Sequence, residues 1–438
     1  MARVLGYVLL VVGGFTAAMV LAEPGFATYP LTTGFGPGPV FASDTGAVAV
    51  GSVVAVLTAA LCRARSTVAT AVLAGAALVG IVALPGAWRY DMYVATVGAG
   101  LLLGALAAAC REGALAAACH EPRRLPQQSA LAGGAVAGVV AASPIAEYRQ
   151  FAGTPGRYAD YLAVSEQPVD TVWLVLAVAT ILMTVAALVV GGFDTDGRSE
   201  PVVVRELVVG VGIPIVAVVL HWSFHRAVYM QSEDFDQGRW LLGIVVVPIV
   251  IVAALWLRDR TGTVLLAAAA LFVSVAAAAD VVAGTWPMLS IPLLLVAAGV
   301  WLGRRYPVPL IGVGVLALAA ATAIVERAPW DNLNLAATIF AVPFAAGYTI
   351  VASLPSTAPV TTTALTMPAV MSLPLMAQFG WTAYTPLTDA PLSGGDTGQV
   401  PEWVPSAWTS ISVGVSVVSI VACGAAMVWL RRRPVPTA

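Results

Sequence analysis

The sequence predicts an all-α, polytopic integral membrane protein of about fourteen transmembrane helices, with both termini on the cytoplasmic side. Three observations carry this. The 438 residues are 59% hydrophobic and only 10% charged, with a mean hydropathy of +0.90, where a soluble chain is nearer a quarter charged. Apolar runs recur at the length needed to cross a bilayer, about 20 residues for roughly 30 Å of hydrocarbon. The links between them alternate in charge: fifteen of the 21 arginines fall in links of one parity, and fifteen of the 23 acids in the other. Retention of arginine on the cytoplasmic side explains that bias and orients the chain.

The runs lie at 5–22, 47–62, 67–84, 92–110, 129–146, 171–190 and 203–220, then at 240–257, 263–283, 288–303, 308–326, 334–353, 361–384 and 407–430. The first is read as an uncleaved helix, because it is long and the chain stays hydrophobic beyond Ala22. The thirteenth is interrupted by Thr361 to Thr363, Pro368, Pro374 and Gln378. Parity requires it, since without it Arg431, Arg432 and Arg433 would be exported. Short links such as Gly284-Thr285-Trp286-Pro287 read as hairpin turns. The longer outer links, 23–46, 147–170, 221–239 and 385–406, hold Trp, Tyr, Pro and Gly suited to the headgroup layer, and none is long enough for a soluble domain.

Within the runs, Gly100, Gly104 and Ala108 fall at i, i+4 and i+8, and Gly134 and Gly138 repeat the spacing. Small residues so placed let two backbones approach closely. Pro214, Pro248, Pro292, Pro343, Pro368 and Pro374 interrupt later helices, which membrane neighbours tolerate. Cys62, Cys110, Cys119 and Cys423 all sit toward the inner side, so no exported disulfide framework is expected, and their spacing fits no metal cluster.

Two inner turns look alike: Cys62-Arg63-Ala64-Arg65 after the second helix and Gly303-Arg304-Arg305 after the tenth, each followed by a glycine-bearing apolar run. Arg258-Asp259-Arg260-Thr261-Gly262 has a similar composition, and the fifth helix reads Gly133-Gly134-Ala135-Val136-Ala137-Gly138 and ends in Ser143-Pro144. In these features the chain resembles the fourteen-helix drug and lipid exporter branch of the major facilitator superfamily. The resemblance implies an N-terminal six-helix half at 1–190, an inserted helix pair with its linkers at 191–262, and a C-terminal six-helix half at 263–438. It implies a secondary-active exporter of an amphipathic or lipid-like molecule, with Arg63, Arg65, Arg258, Asp259, Arg260, Gly303, Arg304 and Arg305 at inner turns or gates. Helices one, four, nine and twelve would line the cavity, making Phe15, Thr16, Tyr93 and Tyr348 lining candidates.

Asp280 is the acid placed inside an apolar run, four residues before the Gly284 turn. It reads as a protonatable or cation-binding group in an outward cavity, or as an interfacial acid. His221 and His225 stand four apart ahead of Glu233, Asp234 and Asp236. That composition suits a divalent metal or an external pH sensor, and equally an aromatic lip with a solvated acidic run. The arginine pairs have a plain alternative as topology anchors.

No phosphate-binding glycine loop, HExxH or GxSxG occurs, and Glu23 and Asp44 stand far apart in the first outer link, so no enzyme, cofactor or resident metal is expected. No basic patch with interleaved aromatics suggests nucleic acid. The expected location is the inner (plasma) membrane and the expected partners are lipids and a hydrophobic substrate. The alternative is a non-catalytic subunit or scaffold of an envelope-building complex, with a protein partner at the outer loops; the first helix carries no acid for coupling, which favours it. Residues near 40, 230 and 395 should be reached by an impermeant label on intact cells, and shielding of all three would refute the threading.

Overall fold

The computed structural model describes residues 2–23, 44–84, 91–112, 124–152, 170–190, 204–229, 245–257, 260–277, 286–325, 330, 332–382 and 407–433. Fourteen helices thread these residues. They are α1 (Ala2–Ala22), α2 (Asp44–Leu61), α3 (Arg65–Val82), α4 (Asp91–Glu112), α5 (Arg124–Ala152), α6 (Thr171–Val189) and α7 (Val204–Tyr229). They continue as α8 (Val246–Trp256), α9 (Gly262–Ala276), α10 (Trp286–Arg305), α11 (Pro309–Ala321), α12 (Leu333–Ala352), α13 (Ala358–Thr382) and α14 (Ala407–Arg432).

Each apolar run therefore forms a helix. Among the described residues α1, α3, α4, α5, α6, α7, α12 and α14 are long and apolar enough to cross a membrane, and α2, α8, α9 and α11 are shorter apolar helices. The chain is an all-α, multi-pass membrane protein. Some bounds differ from the sequence reading. α5 begins at Arg124 and runs to Ala152, and α7 continues to Tyr229, so the stretch from His221 to Tyr229 is helix rather than loop. No proline or glycine follows Leu220 to stop α7, and helical hydrogen bonding continues beyond the oily segment.

Proline reshapes α12. Its first turn, Leu333–Ala336, gives way to a π-helical stretch at Ala337–Ala341 before α-helix resumes at Val342. Pro343 has no N–H to donate and its ring crowds the carbonyl four residues back; widening the preceding turn accommodates both.

The closest crossings are made by glycine. A Cβ on Gly100 would collide with Gly51 O, and one on Gly104 with Ala55 O, so α4 presses directly on α2. Gly134 and Gly138 press likewise on Val11 O and Phe15 O, joining α5 to α1. Between α3 and α4, a Cβ on Gly75 would stand 2.6 Å from Gly98 O. Between α10 and α12, a Cβ on Gly303 would stand 2.6 Å from Tyr348 O, and one on Gly347 2.5 Å from Val296 O. Only hydrogen fits at these distances, and the contact then extends along both backbones.

Helix pairing repeats along the chain. α1 packs on α4, α5 and α6, α2 on α4, and α3 on α4 and α6. Eight helices later α9 packs on α12, α13 and α14, α10 on α12, and α11 on α12 and α14. Contacts between the two sets are reciprocal: α2 meets α13 while α10 meets α5, and α4 meets α13 while α12 meets α5. α7 lies across α2 and α13, and α8 rests on α7, α9 and α14. α9 is buried on every face from Gly262 to Ser274.

Gly104→Leu should drive a side chain into the α2 backbone and cost about 1–3 kcal/mol or more. Gly314→Ala, where an added carbon meets nothing within 4 Å, should be neutral or gain up to about 1 kcal/mol. Thermal unfolding in detergent reads both.

Candidate functional site

The candidate site is the polar junction where the first set of helices meets the second at the arginine-rich end of the bundle. α5 supplies Gln128, one turn into the helix. The link from α12 to α13, residues 353–357, supplies Ser356, where the helix is interrupted by Pro355 and the peptide groups lie open to side chains. Gln128 Nε2 donates to Ser356 O at 2.7 Å, and Ser356 N donates to Gln128 Oε1 at 3.2 Å. The carboxamide thus mimics a neighbouring strand, satisfying one peptide's donor and acceptor together. Gln128 is 4% exposed.

The junction extends to α9. Ser356 Oγ donates to Thr261 O at 3.4 Å, and Thr263 Oγ1 lies 3.2 Å from Ser353 O and 2.7 Å from Arg260 O. This polar clasp therefore ties α5 to the α12–α13 link and to the start of α9. It is only partly satisfied. Close by in the chain, Gln127 Oε1, Thr357 Oγ1 and Thr361 Oγ1 are buried without a hydrogen-bond partner in the protein. Each such atom costs about 1–3 kcal/mol while it stays dry. The contact is specific in geometry and modest in net strength.

The arginines do other work. Arg305 lies over the rings of Trp301 and Tyr306 at 5.9 Å each, Arg205 over Trp256 at 5.8 Å, and Arg433 over Trp429 at 3.9 Å. Arg65 Nη2 donates to Leu188 O at 3.3 Å, tying the start of α3 to the end of α6. Arg63, Arg260 and Arg304 are exposed. Stacking on neighbouring aromatics suits a guanidinium at a membrane boundary. Arg258 and Asp259 lie outside the described residues.

The four residues expected to line a cavity are buried or half-buried in their helices. Thr16 is fully buried, its hydroxyl donating to Val12 O at 2.8 Å. Phe15 is half-buried, and its carbonyl is the one Gly138 presses on. Tyr93 is half-buried near the start of α4, its carbonyl accepting from Thr96 Oγ1 at 3.3 Å. Tyr348 is tied to a neighbouring turn. It is 2% exposed and stacks on Phe344, and its hydroxyl donates toward Tyr306 O at 2.9 Å and Val308 O at 3.3 Å. It fastens the turn between α10 and α11, just beyond Gly303, Arg304 and Arg305.

Asp280 lies outside the described residues. His221 is 6% exposed; His225 falls on the same helix, its side chain outside the described residues. Among the described residues no group of three or more His, Cys, Asp or Glu could hold a metal ion. Gln128, Ser356 and Glu206, which is 8% exposed, were not marked by the sequence. An amide just before an apolar run and a carboxylate in the first turn of one are the signals that could have found the first and last.

Comparison of the sequence finds no matching protein family and no matching curated protein. Among solved structures, the chain is similar to peptide transporter POT in complex with sulfate, at 16% identity and a TM-score of 0.45, over 98% of this chain and 93% of that one. It is also similar to the xylose transporter XylE from E. coli in a partially occluded inward-open conformation. There the identity is 11% and the TM-score 0.45, over 100% of this chain and 97% of that one. The ligands in those names belong to those proteins.

Gln128→Ala should strand both the N–H and the carbonyl of Ser356, lowering stability by about 1–3 kcal/mol. Tyr348→Phe, which removes one hydroxyl, should cost about 0.5–1.5 kcal/mol. Melting temperatures in one detergent compare the two.

Proposed function

We propose that the chain is a secondary-active transporter of the facilitator type, moving an amphipathic or lipid-like molecule outward across the plasma membrane by alternating access. Residues 1–190 and 263–438 form two six-helix halves, and 191–262 an inserted helix pair. The observation that carries this reading is the recurrence of one pairing scheme eight helices apart, with reciprocal contacts between the sets. A repeat packed against its copy around a midplane site is how alternating access is built in secondary transporters, by rocking one unit against the other.

The division of contact types supports the same mechanism. Glycine-to-backbone crossings hold each half together, so each moves as a unit. Across the halves the polar Gln128–Ser356 clasp closes the arginine-rich end, which the charge bias places in the cytoplasm. Opening that end requires the clasp to part, and water then reaches Gln127, Thr357 and Thr361. The largely uncharged helices favour an apolar ligand over a sugar or an ion. No chemical step, cofactor or nucleic-acid partner belongs to the reading.

The test is a reversible lock. Gln128→Cys and Ser356→Cys are paired in a variant lacking the four native cysteines, reconstituted in proteoliposomes with a fluorescent short-chain phospholipid. Oxidation should abolish probe movement and reduction should restore it. Equal movement in the cross-linked and reduced states would refute alternating access through this gate.

A further inference from the structure

α7 begins at the arginine-rich end and lies across α2 and α13, one from each proposed half. Its buried residues include Glu206, Val209, Gly210, Ile213, Ala217 and His221, a spacing of three and four that forms one face. Gly210 identifies what that face meets: a Cβ there would stand 2.6 Å from Val56 Cγ1 and 2.8 Å from Thr363 Oγ1. The seam between the halves thus runs under α7, with Glu206 toward one end and His221 about 22 Å along the helix at 1.5 Å per residue.

Glu206 is the only buried carboxyl among the described residues. A first-turn acid gains from the helix dipole whichever way it faces, so the dipole alone does not account for burial on the seam. Acids inside membrane segments are expensive and mark coupling sites. Arg205, next to Glu206, is exposed and lies over Trp256 of α8. Arg63, Arg65 and Arg260 stand at turns of the same end. Of the helices packed on α7, α13 and α8 carry no ionisable side chain, and α2 carries only Asp44, at its opposite end. The other ionisable groups on α7 are His221, His225, Arg226 and Tyr229.

We infer that Glu206 is the group that couples this carrier to protons, and that the inserted helix is part of the moving machinery rather than an addition at its edge. Rocking of the halves slides α2 past α13 beneath α7 and changes how wet Glu206 is. A carboxyl whose solvation differs between two conformers links their equilibrium to proton binding. The proton is taken from and returned to water at the mouth of the seam, and no other bond is made or broken. The inference rests on the two-halved reading and is tested separately from it.

Spin labels at Leu61→Cys and Arg260→Cys, exposed positions at the ends of α2 and at the start of α9, report the separation of the halves by pulsed electron resonance in liposomes. The background lacks the native cysteines. With Glu206 present, the populations of short and long distances should differ several-fold between about pH 3.5 and about pH 8, a range that brackets ordinary carboxyl and imidazole titration. In Glu206→Gln they should be the same at both pH values, and in Glu206→Asp, which keeps the carboxyl, the difference should return. A pH response that survives in Glu206→Gln, or none in the parent, overturns the assignment. The cross-link at residues 128 and 356 judges the carrier independently.

Discussion

Lipid tails are as oily as leucine, so a bilayer gives two helices no hydrophobic reason to meet. What decides pairing is how closely backbones can approach and how many dispersion contacts follow. In this chain that constraint falls on glycines. Gly51, Gly100 and Gly104 place α2 against α4; Gly14, Gly134 and Gly138 place α1 against α5; Gly299, Gly303 and Gly347 place α10 against α12. Everything else in the structure is arranged around these crossings, including which helices are left to meet at the junction between the two sets.

The crossings also divide the molecule mechanically. A contact along two backbones has no rotamer to release, so it is rigid. The clasp of Gln128 on Ser356 is two hydrogen bonds of ordinary length with unsatisfied hydroxyls nearby, and water can replace all of it. Rigid within and exchangeable between is the distribution of stiffness that a rocking bundle needs. Tyr348 belongs to the rigid part: by fastening the turn after Gly303 it gives α10 and α11 a fixed joint.

Much of this was legible in the residues. Fourteen apolar runs became fourteen helices, and the Gly100/Gly104 and Gly134/Gly138 spacings proved to be real crossings, because period and residue size act locally. Helix ends were harder to read. Placing the fifth helix at 129 left Gln128 just outside it, although α5 begins at Arg124. Stopping the seventh at 220 left His221 in a loop, although it is a buried helical residue. An apolar run marks where lipid ends, whereas hydrogen bonding decides where a helix ends, and near the interface the two differ by several residues. At the turn after α10, Arg305 lies over Trp301 and Tyr306, since a guanidinium at a boundary gains from the nearest ring.

Taken alone, the sequence determined that the chain is helical and crosses a membrane repeatedly, where each oily segment lies, and which faces are small enough to cross closely. These are properties of short windows and of transfer from water to lipid. Only the tertiary structure decided that Gln128 meets a peptide 228 residues away, that α7 bridges α2 and α13, and that Glu206 is turned inward. Such pairings depend on which of many compatible crossings are realised together, and no local pattern encodes that choice.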